Sequence, residues 1–299
     1  MKNKTKKQWL EPCLCATAIL FASTSLCADA NKPQYPLWDG KETIEAYCER
    51  AGVKPTLSLD VGGGIKMGVR LIPAGEFQMG STEAEQKDHD ETRHKVKLTK
   101  PFYLGKCEVT QAQYEKVMGK NPSKFKGDDN PVDTVSWNDA QEFCKRVGTT
   151  SGQKLRLPTE AEWEFACRAG TETCFYTGDD QKSLEEAAWF DDTSGETTHP
   201  VGLKKPNAWG LYDMHGNVTE WCQDQLVHNS KDAAVDPVGE KKNGEPVLRG
   251  GSWDDESKDC RSARRDSRPE NYPTKFYGFR VVVILAEHVA DENKKKDGK

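Results

Sequence analysis

Residues 58–81, SLDVGGGIKMGVRLIPAGEFQMGS, alternate apolar and polar positions around Gly62, Gly63 and Gly64. A period of two marks half-buried strands, so the stretch reads as a β-hairpin turned by the glycines and followed by another strand. A phosphate-binding loop would need a helical pattern directly after the glycines, and none follows. Three later segments open with a hydroxyl followed three residues on by a side-chain acceptor: Thr110 with Gln113, Ser136 with Asp139, and Thr159 with Glu162. Such pairs satisfy helix N–H groups that lack a partner within the helix, so each predicts a helix start. Gly119, Gly148 and Gly170 are the predicted stops. Residues 42–51 predict a shorter helix in a leader docked on the body, and FYGFRVVV at 276–283 reads as one core strand closing the fold.

Long Gly/Asn/Asp/Pro stretches lie between and after these elements, more than a simple helical bundle needs. Eight Trp among 299 residues suit a loop-rich body in which large aromatics hold irregular backbone. The formal charge of −5 is spread along the chain and favours neither nucleic acid nor an anionic membrane as partner.

The first 30 residues differ from the rest. MKNKTKK precedes an apolar run over 13–26 and then Ala28-Asp29-Ala30, the order of a secretory signal cut after Ala30. A membrane anchor needs about 20 apolar residues, and this run is shorter. The expected protein is therefore exported, periplasmic or extracellular, with no membrane attachment after cleavage. The organisation is a signal at 1–30, a leader at 31–58, one domain at 59–286 and a charged disordered tail at 287–299. Export also changes the meaning of the cysteines. Seven remain after cleavage, at 48, 107, 144, 167, 174, 222 and 260, and an oxidising compartment predicts that most pair, with one left over. None has zinc spacing.

The ordered set GEFQMGS, CEVTQAQY, NPSKF, PVDTVSW, DAQEFC, LRLPTEAEWEFACRAG, NAWGLYDMHGNVTEW, RGGSW and GFRVV spans roughly residues 70–283. It resembles the formylglycine-generating enzymes, or sulfatase-modifying factors. The resemblance implies a compact single α/β (α+β) domain with little regular secondary structure, related to C-type lectin folds. It also implies a copper- and oxygen-dependent oxidase acting on a Cys in an extended peptide of a sulfatase. There, two thiolates after Gly-Gly-Ser bind Cu(I), a soft ion suited to sulfur.

This chain reads GGSWDDESKDCRSARR. Asp255 stands where the family has its first cysteine, and Cys260 is the only thiol of the loop. Counted forward from Gly250, Cys260 falls on the second cysteine; counted backward from Gly278, it lies near a structural cysteine whose own position is taken by Ser262. In an active enzyme the catalytic groups would be Cys260 and Ser252. Otherwise Cys260 is expected in a disulfide, with Cys222 or Cys167 as candidates. The resemblance further implies calcium on the side chains of Asp213 and Glu220 and the carbonyls of Gly216 and Val218, hard oxygen donors as calcium requires. A second calcium site would fall near Trp189, Phe190, Thr193 and Gly195, which lack the needed side chains. His215, a loop histidine without a recognisable partner, reads as a surface or packing residue rather than an acid or base. Arg249, Arg261, Arg264 and Arg265 either bind a ligand at the predicted cleft or pair with Asp254, Asp255, Glu256 and Asp259. Two functions follow: a divergent module without the dithiolate centre that binds a peptide or ligand or performs another reaction, or an active oxidase with unrecognised metal ligation.

Overall fold

The computed structural model describes residues 35–82, 90–228, 231–240 and 244–285. The expected signal at 1–30 and tail at 287–299 lie outside the described residues. In chain order the first elements are α1 (Ile44–Ala51), β1 (Thr56–Gly62), β2 (Ile65–Ile72), β3 (Gly75–Met79), β4 (His94–Leu98), β5 (Phe102–Gly105), α2 (Gln111–Met118), α3 (Trp137–Ser151), β6 (Leu155–Arg156) and α4 (Glu160–Arg168). Two short helices follow, α5 (Gln181–Glu185) and α6 (Asp191–Ser194). The remainder is β7 (Thr219–Gln225), β8 (Ala234–Val235), β9 (Pro246–Arg249), β10 (Arg265–Ser267), β11 (Tyr277–Gly278) and β12 (Val282–Ile284).

The predicted hairpin forms: β1 and β2 pair antiparallel, and Gly62, Gly63 and Gly64 turn the chain with φ of 109°, 62° and 82°, values that favour glycine. β2 continues through β5 and β12 to β6, so the C-terminal strand is inserted inside a five-stranded sheet. A second sheet, ordered β10-β9-β7-β11, carries the RGGSW loop at the end of β9, and a third is ordered β3-β4-β8. No described helix is long and apolar enough to cross a membrane.

All three predicted capping boxes are made, on Thr110, Ser136 and Thr159, and Gly119 ends α2 in the left-handed conformation. Gly148 does not end α3. The helix runs three residues further, with Thr149, Thr150 and Ser151 hydroxyls returned to carbonyls one turn back, and Gly152 caps it at φ 68°. Gly148 instead sits where the returning Gln153 carbonyl would lie 3.0 Å from any Cβ. At the end of α4 the left-handed residue is Ala169, one before Gly170. The predicted closing strand is also divided. β11 pairs with β7 and β12 with β5, and Arg280, wholly buried between them, redirects the chain from one sheet to the other.

Every residue of α4 is buried. Its last carbonyls, Ala166 and Cys167, accept from the Asn207 side chain, which satisfies helix-end groups inside the protein. Trp indoles fasten loops as the composition suggests: Trp137 donates to the Cys222 carbonyl and Trp221 to that of Val135. The segment before the domain is tied on by Tyr47, whose hydroxyl donates to the Pro36 carbonyl and accepts from Ala74 N–H.

Candidate functional site

β9 ends at Arg249, and Gly250 and Gly251 then reverse the chain with φ of 97° and 72°. A Cβ on Gly251 would lie 2.6 Å from Cys260 Sγ, so the second glycine is what lets the loop close over that thiol. Ser252 begins a tight turn. Its N–H and hydroxyl both donate to Asp255 Oδ2 at 2.7 Å, so the carboxylate is drawn back onto the loop that bears it. Trp253 N–H donates to the Asn217 carbonyl and Gly216 N–H to that of Gly250, fastening this loop to the one at 213–220. Outside the turn lies a cleft of about 320 Å³, lined by Gly250, Gly251, Asp254, Asp255, Arg264 and Tyr277 among others.

Three of the four arginines expected at the cleft are held inside the protein, by partners remote in sequence. Arg249 pairs with Glu164, Arg265 with Glu160 at 2.6 Å, and Arg261 with Glu91 at 2.9 Å. Glu160 and Glu164 come from α4, so this charge lattice locks the loop to the central helix. Arg264 pairs with a loop acid, Asp259, at 3.0 Å. The spacing of Glu160, Glu164 and Arg168 places them on a common face of one helix, a signal in the sequence that points to these glutamates. Asp266, Arg268 and Phe276, beyond the residues expected from the sequence, complete the cleft wall.

Cys260 ends a 3-10 turn, Ser257–Cys260, and is wholly buried in a small apolar cluster with Phe175, Leu184, Ala188 and Phe190. Burial pushes its thiol well above the usual range, and the nearby Asp255 and Asp259 carboxylates add to the shift. No disulfide joins the cysteines of the described residues; Cys260, Cys222 and Cys167 are all thiols. Cys222 and Cys167 belong to the main core, separate from the Cys260 cluster. Cys167 faces Ser262 instead, Sγ to Oγ 3.7 Å. His215 is a packing residue and fully buried: Nδ1 donates to the Cys260 carbonyl at 2.7 Å, and Nε2 accepts from Tyr176 N–H at 3.3 Å. Burial lowers its pKa to about 3, which keeps the ring neutral.

Of the expected calcium donors, Asp213 and Glu220 are both buried beside Arg280. Glu220 is ion-paired: Arg280 donates to both its oxygens, at 2.5 and 2.6 Å, and Trp163 Nε1 donates to Oε2 at 2.9 Å, which leaves one acceptor position on Oε1. Asp213 Oδ2 accepts from Gly202 N–H, and its Oδ1 has no partner among the described residues. Arg280 neutralises Glu220, while Asp213 Oδ1 is a buried hard oxygen without a partner among the described residues, the kind of donor calcium takes. Among the described residues no group of three or more His, Cys, Asp or Glu is placed to hold a metal ion. Burial raises Asp213 to about 6, and it raises Glu108, which accepts from Val218 N–H and the Asn217 side chain, well above the carboxylate range.

Residues 66–285 match the family model of the sulfatase-modifying factor enzyme 1-like domain. The chain belongs to this family. Its relatives include the formylglycine-generating enzyme of Mus musculus, 31% identical, the alignment covering 71% of this chain and 74% of that one. The chaperone protein LppX of Paenibacillus barcinonensis is 32% identical, covering 61% and 77%. Among solved structures, Treponema denticola variable protein 1 superposes with a TM-score of 0.72 at 28% identity, over 78% of this chain and all of that one. PvdO from Pseudomonas aeruginosa gives 0.69 at 27%, over 78% and 99%. This sulfatase-modifying-factor fold is the mixed α/β, C-type-lectin-like architecture that the motifs imply.

For this family member, a two-thiolate Cu(I) centre does not fit the residues present. The loop supplies one thiol, held protonated in an apolar cluster, and a carboxylate that already accepts two hydrogen bonds from Ser252. Carboxylate oxygen is also a hard donor that binds Cu(I) poorly.

Proposed function

We propose that this chain is an exported family member whose cleft holds an extended peptide segment of a protein ligand without performing two-thiolate copper oxidation. The observation that carries the reading is the Asp255 carboxylate locked onto Ser252 at the place of the first family cysteine. A polar cleft walled by Phe276 and Tyr277 supports peptide binding, because aromatic and charged groups together suit an extended chain. The relative described as a chaperone supports a role in binding protein. Export rests on the basic, apolar and Ala-Asp-Ala order of the first 30 residues.

The second reading is an oxidase that converts a sulfatase Cys to formylglycine, using Cys260 and Ser252 with altered metal ligation. Similarity to the formylglycine-generating enzymes of Mus musculus and Bos taurus favours it. A fluorescent sulfatase-type Cys peptide, offered to the reduced protein with Cu(I) and oxygen, separates the two. The first reading predicts saturable anisotropy, weakened by Asp254→Arg in the cleft, and no aldehyde by mass spectrometry. Aldehyde on the peptide supports the second. Neither binding nor aldehyde sinks both.

A further inference from the structure

β10 is an edge strand of the second sheet: β9 pairs with it on one side, and no described strand lies on the other. A cavity lies against each of its faces. The cleft of about 320 Å³ is lined by Arg264, Asp266 and Arg268, and a second cavity of about 380 Å³ by Arg265 and Ser267 together with Leu226 and Glu245. Residues two apart share a face of a strand, so Arg264 and Asp266 fall on one side of the pleat and Arg265 and Ser267 on the other. Asp266 and Arg268 border both cavities and form the ridge between them.

The outer edge of β10 is covered by side chains. Arg268 N–H points inward and donates to the Pro246 carbonyl of β9 at 3.3 Å. Ser267, one residue earlier, therefore points outward: its N–H donates to Asp266 Oδ1 at 2.8 Å, and its carbonyl accepts from Arg268 Nη1 at 2.6 Å. The Arg265 carbonyl likewise accepts from Arg264 Nη1 at 3.2 Å. Asp266 and Arg268 are ion-paired at 2.6 Å, with 33% and 41% of their side chains exposed. A pair this exposed holds weakly, so it shields an open strand edge and still yields to a better partner. The main chain of an extended peptide is such a partner, because it carries both a donor and an acceptor at the spacing of the strand.

We propose that the extended segment held by the cleft binds as an added strand on the outer edge of β10. It displaces Asp266 and Arg268 from the Ser267 backbone and sends alternate side chains into the two cavities. This rests on the peptide-binding reading given above and adds how the peptide is held: main-chain bonds supply affinity, and the cavities on the two faces read successive side chains.

The test measures anisotropy of the fluorescent sulfatase-type Cys peptide in three forms: unmodified, and N-methylated at alternate amides in either of the two phases. Amides that face β10 recur at every second residue. One methylated form should therefore bind at least about tenfold more weakly than the other, the scale of a lost main-chain hydrogen bond. Asp266→Ala/Arg268→Ala should tighten binding of the unmodified peptide several-fold, because the Ser267 groups no longer have to be uncovered. If the unmodified peptide binds saturably but the two methylated forms bind alike, the added strand is overturned and the reading of the cleft stands. Weaker or unchanged binding by the double variant overturns the added strand in the same way. No binding of the unmodified peptide overturns both.

Discussion

Cys167 on α4 and Ser262 after the loop turn face each other, Sγ to Oγ 3.7 Å, inside the core. Ser262, rather than Cys260, is therefore the loop residue opposite Cys167, and Cys260 is a separate thiol buried in its own apolar cluster. The loop is left with a frame and one sulfur.

Ser262→Cys should accordingly form a disulfide with Cys167. Under oxidising conditions the count of free thiols in denaturant falls by one relative to the parent, and urea unfolding shows a gain of about 2–4 kcal/mol that reductant removes. An unchanged stability with one extra thiol would mean that the two side chains do not meet as described.

Arg280 is the guanidinium bonded to Glu220 among the described residues, and burial, with the nearby Asp213 and Glu220 carboxylates, raises the pKa of Glu108. Arg280→Leu leaves these buried carboxylates uncompensated and should cost about 3–5 kcal/mol in chemical unfolding. Removing Glu220 as well, in Arg280→Leu/Glu220→Leu, should recover part of that loss. A double variant as unstable as the sum of the singles would contradict the pairing. With calcium on Asp213 Oδ1, as the resemblance implies, EGTA should lower the melting temperature of the parent; an unchanged value would mean that this oxygen holds no calcium.

Asp224 accepts from Glu160 N–H at 2.7 Å and Gly239 N–H at 2.6 Å, and burial with Glu160 nearby raises its pKa to about 7. A carboxyl raised on folding binds its proton more tightly in the native state. Its contribution is complete below the unfolded pKa of about 4 and is lost as pH rises through about 7. Stability should therefore fall across that window, with Asp224 contributing a slope of up to about 1.4 kcal/mol per pH unit. Asp224→Asn lowers stability throughout but removes this slope, as urea melts from pH 4 to 8 would show. An unaltered slope would assign the titration elsewhere.

Local chemistry was legible in the sequence, and long-range pairing was not. The capping boxes at Thr110, Ser136 and Thr159 and the hairpin at Gly62–Gly64 are decided within a few residues, and each is present. Gly148 misled because a glycine can serve close packing as well as a helix end. The 276–283 segment looked like one strand because apolar runs do not reveal which sheet they join; that depends on Arg280 reaching Glu220, 60 residues away. The loop arginines were matched to nearby acids, whereas Arg249, Arg265 and Arg261 reach glutamates 85, 105 and 170 residues distant. At the site, the missing sulfur at Asp255 was plain from spacing, but its capture by Ser252 and the isolation of Cys260 required the fold.

The most direct test is anaerobic Cu(I) titration of the reduced protein against a chelator of known affinity, for the parent, Cys260→Ser and Asp255→Cys. No tight binding at the loop is expected for the parent, none for Cys260→Ser, and a gain of one Cu(I) per chain for Asp255→Cys, where a second thiol replaces the carboxylate. Tight one-to-one binding by the parent that disappears in Cys260→Ser would contradict it and make this loop a working metal centre.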